Sequence, residues 1–332
     1  MRNKVKGEIG VRTVFLYAGQ GSQTVGMGKD FYEEFEEYRE FIDSIDADDR
    51  FKHLMHEGPL EELSKTENTQ GCMAMFAAGV TKLLLNRGIK PDMAGGLSLG
   101  EYGALYAAGV FDEKEYVNIT AFRGKEMAKA AHGLNCSMSA ILGTDGETVR
   151  KSVDEYYKAE QENGDNANIA YVTVANYNCP GQYVICGDNE AVEKVEEIVK
   201  TNGAKRCVRL NVSGPFHTKY MSPAGDALNE YFSKMTFNEP KIPVVLNYTG
   251  DFYKPGDDLK ELLVCQVQNS VHMEEDFRAL INAGADNFIE IGPGNVLTGF
   301  LKKTAKSMGV SVNVTSISSV DDFNNFINQT AE

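Results

Sequence analysis

Hydrophobic and polar positions along this chain follow two periods. Short, nearly unbroken apolar runs at 13–17, 243–246 and 287–291 predict strands buried on both faces. Apolar residues spaced by three and four predict helices over 31–42, 74–85, 115–131 and 296–308, with Gly88 closing the second, and further helices across 258–283. A strand, the glycine loop Gly19-Gln20-Gly21-Ser22-Gln23 and an acidic helix thus open the chain. Between 134 and 208 the order changes to strand 138–142, helix 147–158, a polar loop, strand 170–175, the turn Asn178-Cys179-Pro180-Gly181, strand 183–186, helix 191–201 and strand 205–210. That βαββαβ order is ferredoxin-like and predicts a small inserted subdomain at 134–208. The expected fold class is therefore α/β, with a large domain from 1–133 and 209–332 built on a mostly parallel sheet. No internal repeat or low-complexity linker interrupts the pattern.

One serine stands in a glycine frame, Gly96-Leu97-Ser98-Leu99-Gly100. Glycines two before and two after it let a strand turn sharply into a helix and hold the hydroxyl out under strain, as in the nucleophile elbow of α/β-hydrolase-like domains. Residues 101–108 read as a small-residue helix closed by Gly109, whereas 92–94 is a poor strand by propensity. Taken alone, the segment is either an elbow or a glycine-rich turn.

Composition narrows the setting. A chain of 332 residues, 42% of them hydrophobic, can bury a substantial core in one or two domains. Lys plus Arg number 33 against 48 Asp plus Glu, and the net charge of −15 opposes nucleic acid or an anionic membrane as the main partner. The six cysteines form no Cys-x-x-Cys pair and no metal-ligand spacing with the five histidines, so reduced thiols and no metal are expected. Residues 1–10 lack the apolar core of a signal peptide, and no stretch approaches the roughly 20 apolar residues of a membrane span. A cytoplasmic monomer is the expectation.

A serine hydroxyl needs a base, and histidine is the usual one because it titrates near neutrality. His53 and His56 fall in a charged helix or loop and His132 in a small-residue turn, and all three read as solvated. His217 follows a strand in Ser213-Gly214-Pro215-Phe216-His217, a turn suited to presenting a fixed side chain, and is the first candidate; His272, among the late helices, is the second. The loop at 19–23 fails as a dinucleotide fingerprint because Thr24 stands where the third glycine belongs. It is either a tight strand-to-helix turn or a loop that aims backbone N–H groups at a developing oxyanion.

Six blocks then fall in one order: Gly19-Gln20-Gly21-Ser22-Gln23, Gly96-Leu97-Ser98-Leu99-Gly100-Glu101, Arg123-Gly124, Asn178-Cys179-Pro180-Gly181-Gln182, Gly214-Pro215-Phe216-His217 and Glu290-Ile291-Gly292-Pro293-Gly294. In this order the chain resembles the malonyl-CoA:acyl carrier protein transacylases from about residue 12 to its end. The resemblance implies Ser98 as the nucleophile that takes the malonyl group and His217 as its base, oriented by a main-chain carbonyl at Gln266 in place of an acid. It implies an oxyanion hole from the N–H groups of Gln20 and Leu99, and Arg123 as the ligand of the malonyl carboxylate. A guanidinium can hold a carboxylate through two parallel hydrogen bonds, and an acetyl group offers it no partner. Without the resemblance, an Arg on helix 115–131 reads as a solvated surface residue. The substrates implied are a coenzyme A thioester, malonyl-CoA, and the phosphopantetheine thiol of acyl carrier protein in fatty acid synthesis, with no permanently bound cofactor. A polyketide acyltransferase and a serine thioesterase or esterase are the alternatives.

The chain departs from the family pattern at several places. Leu97 stands where many relatives carry histidine, Ala18 where proline often precedes the first glycine, and Ser270-Val271-His272-Met273 replaces a more usual Pro-Val-Arg-Trp. Leu97 and Phe216 are expected to line the substrate pocket, with the bulk of Phe216 disfavouring an α-methyl group. An acidic carrier would need a local basic patch on this acidic chain, and Lys302, Lys303 and Lys306 read first as a solvated helix face.

Overall fold

The computed structural model describes residues 12–45, 49–162, 169–211 and 214–330; the segment 1–10 and Ser213 lie outside them. Their strands, in chain order, are β1 (Thr13–Tyr17), β2 (Met93–Gly96), β3 (Cys136–Leu142), β4 (Val172–Cys179), β5 (Gln182–Asp188), β6 (Arg206–Arg209), β7 (Val245–Leu246), β8 (Asp251–Phe252), β9 (Asn287–Ile291) and β10 (Asn313–Ile317). Four form a parallel sheet in the order β10-β9-β1-β2, and four others an antiparallel sheet in the order β4-β5-β3-β6. The fold is mixed α/β, with one parallel and one separate antiparallel sheet. Val14 to Tyr17 in the middle of the parallel sheet are wholly buried, as an unbroken apolar run covered on both faces requires.

β2 is the element that propensity undervalues. Its residues Met-Ala-Gly-Gly pair in register with β1, from Val14 opposite Met93 to Tyr17 opposite Gly96. A Cβ on Gly95 would lie 2.7 Å from the Val245 side chain, so small residues are needed where β7 closes over the strand. Packing against neighbours, rather than intrinsic preference, makes this a strand. An isolated parallel bridge from Ala94 to Val244 extends the same edge.

The helices keep their predicted places with shifted ends. The segment expected as one helix over 31–42 is two, Lys29–Glu34 and Glu36–Ile45, separated by Phe35 in extended conformation with its ring edge-on to Phe323. The helix expected over 74–85 runs Thr66–Asn86; its first turns carry the buried polar residues Asn68, Thr69 and Gln70, which an apolar period cannot register. It packs beside Glu113–Ala131, which opens with a capping box of Asp112 and Glu115. Helix Ser222–Ser233, strand β10 and helix Val320–Thr330 were not anticipated.

The block Glu290 to Gly294 has a local explanation. Glu290 is fully buried, and its two carboxylate oxygens accept the N–H groups of Leu297 (2.9 Å) and Thr298 (2.7 Å) at the start of helix Val296–Ser307. Those N–H groups lack intrahelical partners, and a carboxylate there also complements the helix dipole. A Cβ on Gly292 would meet that of Ala18 at 2.3 Å, so the turn packs directly against the loop after β1. Lys302, Lys303 and Lys306 lie on the exposed face of this helix. Val271, in the link between helices Leu259–Gln268 and Met273–Asn282, bonds both Ala175 (2.9 Å) and Tyr177 (2.8 Å) of β4 and so ties the antiparallel sheet to these late helices. The six cysteines are free, and no helix among the described residues is long and apolar enough to cross a membrane.

Candidate active site

Ser98 sits at the junction of β2 and helix Leu99–Ala107 with φ 54° and ψ −100°. Such a backbone costs about 1–3 kcal/mol for a non-glycine residue and persists only where the surroundings impose it. The flanking glycines permit the crossing. A Cβ on Gly96 would fall 2.2 Å from the carbonyl carbon of Gly100, and one on Gly100 would fall 2.0 Å from the Tyr17 carbonyl oxygen. His217 also has positive φ, 58°, and among the described residues Asp49 is the one other non-glycine so placed.

These two residues meet. Ser98 Oγ and His217 Nε2 are 2.7 Å apart, and His217 Nδ1 is 2.9 Å from the carbonyl oxygen of Gln266. A carbonyl only accepts, so Nδ1 carries the proton and Nε2 is free to take that of Ser98. Burial and the charge of Arg123 lower the His217 pKa to about 4. The imidazole is therefore neutral, with Nε2 open to accept a proton, throughout the physiological range. His272 is elsewhere, stacked parallel on Tyr177 at 5.1 Å. His53 and His132 are exposed, as expected, but His56 is half-buried with its ring edge-on to Tyr32.

Arg123 is fully buried, not solvated. Its Nη2 donates to Ser98 Oγ (3.0 Å) and to Gln266 Oε1 (3.0 Å), its Nη1 donates to Gln70 Oε1 (2.7 Å), and its Cζ lies 5.4 Å from the centre of the Tyr102 ring. Its Nε has no partner, and among the described residues no carboxylate forms a salt bridge with it. A buried guanidinium without a salt bridge is costly, and burial pulls its pKa below the ordinary value even though Tyr102 and the buried Glu101 carboxyl act in the opposite direction. The arrangement is suited to an anion brought in by a ligand.

The remaining predicted residues gather at the same place. Leu99 is the first residue of its helix, so its N–H has no intrahelical acceptor. The loop bearing Gln20 is braced by bonds from Gln20 Nε2 to Thr66 Oγ1 (2.9 Å) and from Gln70 Nε2 to Gln20 Oε1 (3.3 Å). A Cβ on Gly19 would lie 2.7 Å from the Leu97 carbonyl oxygen, so this loop and the elbow touch backbone to backbone. Leu97 and Phe216 line a cleft of about 880 Å³ with Gln20, Ser98 and His217, and its opposite wall includes Met138, Asn176 and Asn178 of the antiparallel sheet.

Sequence reasoning missed three polar residues here, Gln70, Asn247 and Asp276, and the role of the Gln266 side chain. Gln70 and the side chain of Gln266 hold Arg123, and Gln266 Nε2 also donates to the Ser98 carbonyl at 2.8 Å. Asn247 and Asp276 lie behind the elbow, fully buried, beside Glu101. Buried Gln and Asn within otherwise apolar stretches were the available signal for Gln70 and Asn247. For Asp276, in an acidic helix start, there was none.

A hydroxyl whose proton can pass to a neutral imidazole, at the start of a helix whose first N–H has no intrahelical acceptor, is equipment for acyl transfer. Residues 14–325 match the family model described as acyl transferase domain. The chain is 38% identical over 299 residues to the malonyl CoA-acyl carrier protein transacylase of Bacillus subtilis (strain 168), covering 90% of this chain and 92% of that protein. It superposes on the malonyl CoA-acyl carrier protein transacylase of Clostridium perfringens with a TM-score of 0.87 at 34% identity, over 97% of this chain and 98% of that one. A malonyl-transacylase solved in complex with a type II polyketide synthase acyl-carrier protein gives 0.86 at 30% identity, over 96% and 99%. The chain belongs to the malonyl CoA-acyl carrier protein transacylase family, as the six sequence blocks imply.

Proposed function

We propose that this protein transfers a malonyl group from malonyl-CoA to the phosphopantetheine thiol of acyl carrier protein through an ester on Ser98. The buried Arg123, in no salt bridge and 3.0 Å from the nucleophile, carries this reading, because it suits an acyl group that ends in a carboxylate. Ser98 Oγ attacks the thioester carbonyl as its proton passes to His217 Nε2, and the tetrahedral oxyanion is held by the N–H groups of Gln20 and Leu99. Collapse expels coenzyme A as the thiol, protonated by His217. The carrier's thiol then attacks the malonyl-serine, with His217 as base again. Gln266 orients the imidazole through its main-chain oxygen, and Leu97 and Phe216 shape the pocket around the acyl chain. These steps use the chain's own residues and no resident cofactor.

On this reading the product feeds fatty acid synthesis in the cytoplasm and the enzyme acts as a monomer. Residues 134–208 form a ferredoxin-like subdomain set into an α/β-hydrolase-like domain of 1–133 and 209–332; the strand order β4-β5-β3-β6 supports that division. A polyketide carrier as acceptor is the second reading, favoured by the likeness to a transacylase solved with such a carrier. Intact-mass analysis after incubation with malonyl-CoA tests the central claim: a malonyl adduct forms on the wild type and is absent from Ser98→Ala. Undiminished labelling of that variant refutes it, and release of free malonate at the rate of transfer would identify a thioesterase instead.

A further inference from the structure

Behind the elbow, on the side away from the cleft, Asn247 uses every hydrogen-bonding group it has. Its Oδ1 accepts the N–H of Ser98 at 2.5 Å, and its Nδ2 donates to the Gly96 carbonyl and to Asp276 Oδ2, both at 2.8 Å. Its own backbone N–H donates to Glu101 Oε2 at 2.5 Å, and its carbonyl accepts the N–H of His272 at 2.8 Å. The amide cannot be flipped, because two acceptors face one end and a donor faces the other. One side chain thus grips the residue two before the nucleophile and the nucleophile's own N–H, across the turn where the backbone is strained.

The acids that hold Asn247 are unusual in themselves. Glu101 and Asp276 are both buried, neither forms a salt bridge among the described residues, and Asp276 Oδ1 has no partner. Burial pushes Glu101 up to about 7 and, with the charge of Glu101, raises Asp276 well above the usual carboxylate range. Buried carboxyls are expensive unless they are used, and here both hydrogen-bond to Asn247, Glu101 with the Gln266 side chain also beside it.

We infer that Asn247 is a positioning residue for the reaction, fixing Ser98 so that its Oγ meets His217 while the Leu99 N–H faces the oxyanion, and that Glu101 and Asp276 serve by holding Asn247. The inference rests on the Ser98 acyl-enzyme reading. With the Ser98 N–H committed to Asn247, the N–H left to the oxyanion on this side of the turn is that of Leu99. Asn247 touches no substrate, so its loss must appear in the rate of acylation and not in the affinity for the donor.

The test is single-turnover acylation by malonyl-CoA, followed by quenching and intact mass, alongside inactivation by a fluorophosphonate that reports serine reactivity whatever the natural donor. Asn247→Ala should acylate about 10²-fold more slowly at saturation, with KM within about two-fold and fluorophosphonate inactivation slowed in parallel. A folded Asn247→Ala that acylates within about three-fold of wild type overturns the inference. If that variant does not fold, Asp276 decides, since it reaches the nucleophile only through Asn247. Asp276→Asn keeps an acceptor for Nδ2 and should acylate at least about ten-fold faster than Asp276→Leu, whereas equal rates in the two overturn the inference. A wild type that reacts with fluorophosphonate but not with malonyl-CoA overturns the malonyl reading alone, and the Asn247 comparison is then read from the fluorophosphonate rates.

Discussion

Ser98 and His217 share a positive φ, 54° and 58°, yet they are held there by different means. Around Ser98 the conformation is imposed by contact: Gly96 and Gly100 cross the helix start and Tyr17 so closely that neither position has room for one more carbon. His217 stands between Phe216 and Thr218, and hydrogen bonds set it, from Thr218 Oγ1 to the Pro215 carbonyl at 2.6 Å and from Nδ1 to the distant Gln266 carbonyl at 2.9 Å. A site fixed by close packing fails abruptly when filled, because interiors are already dense. A site fixed by hydrogen bonds loses its members by degrees.

Perturbing one half at a time sharpens this contrast. Ser98→Ala should abolish the malonyl adduct, while His217→Ala leaves a nucleophile without its base and slows acylation about 10³-fold; an intact-mass time course reads both. Next comes the packed half: Gly100→Ala should lower folding stability by about 3 kcal/mol or more, measured by denaturant unfolding, and a loss below about 1 kcal/mol would show that the elbow yields. Arg123→Ala should narrow the malonyl-over-acetyl preference by about 10²-fold, in line with the roughly 2–5 kcal/mol lost when a buried charge pair is broken. On the hydrogen-bonded side Thr218→Ala should cost only about 1 kcal/mol, with activity reduced but measurable.

The smallest effect concerns pH. The base works when neutral, so kcat/KM should fall as pH drops through about 4 and stay level above it up to neutrality. Arg123 is one cause of that low value, and removing its charge should move the acid limb to higher pH. A limb that does not move would show burial alone to be responsible.

The same contrast explains what could be read from the sequence. The elbow was legible because its constraint is local: glycines at fixed offsets from a serine mean close approach wherever they occur. The strand leading into it was not, since Met-Ala-Gly-Gly becomes a strand only through pairing with Thr13–Tyr17 and cover from Val245. His217 could be ranked first by its turn, but its partnership with a main-chain oxygen at Gln266 leaves no trace in residue type and entered only through family resemblance. The burial of Arg123 is likewise set by tertiary packing. Asn247 and Asp276 bond across 149 and 29 residues to partners that no spacing rule connects.

The contact between Gly19 and the Leu97 carbonyl makes the two loops that the proposed mechanism draws on for its oxyanion hole a single casting. Neither loop can be retuned for a larger acyl group without dragging the other, so the donor end of the reaction is closed to gradual change. Diversification of substrate in such a scaffold has to proceed through the facing wall, where side chains of the antiparallel sheet enter the cleft and can be exchanged one at a time.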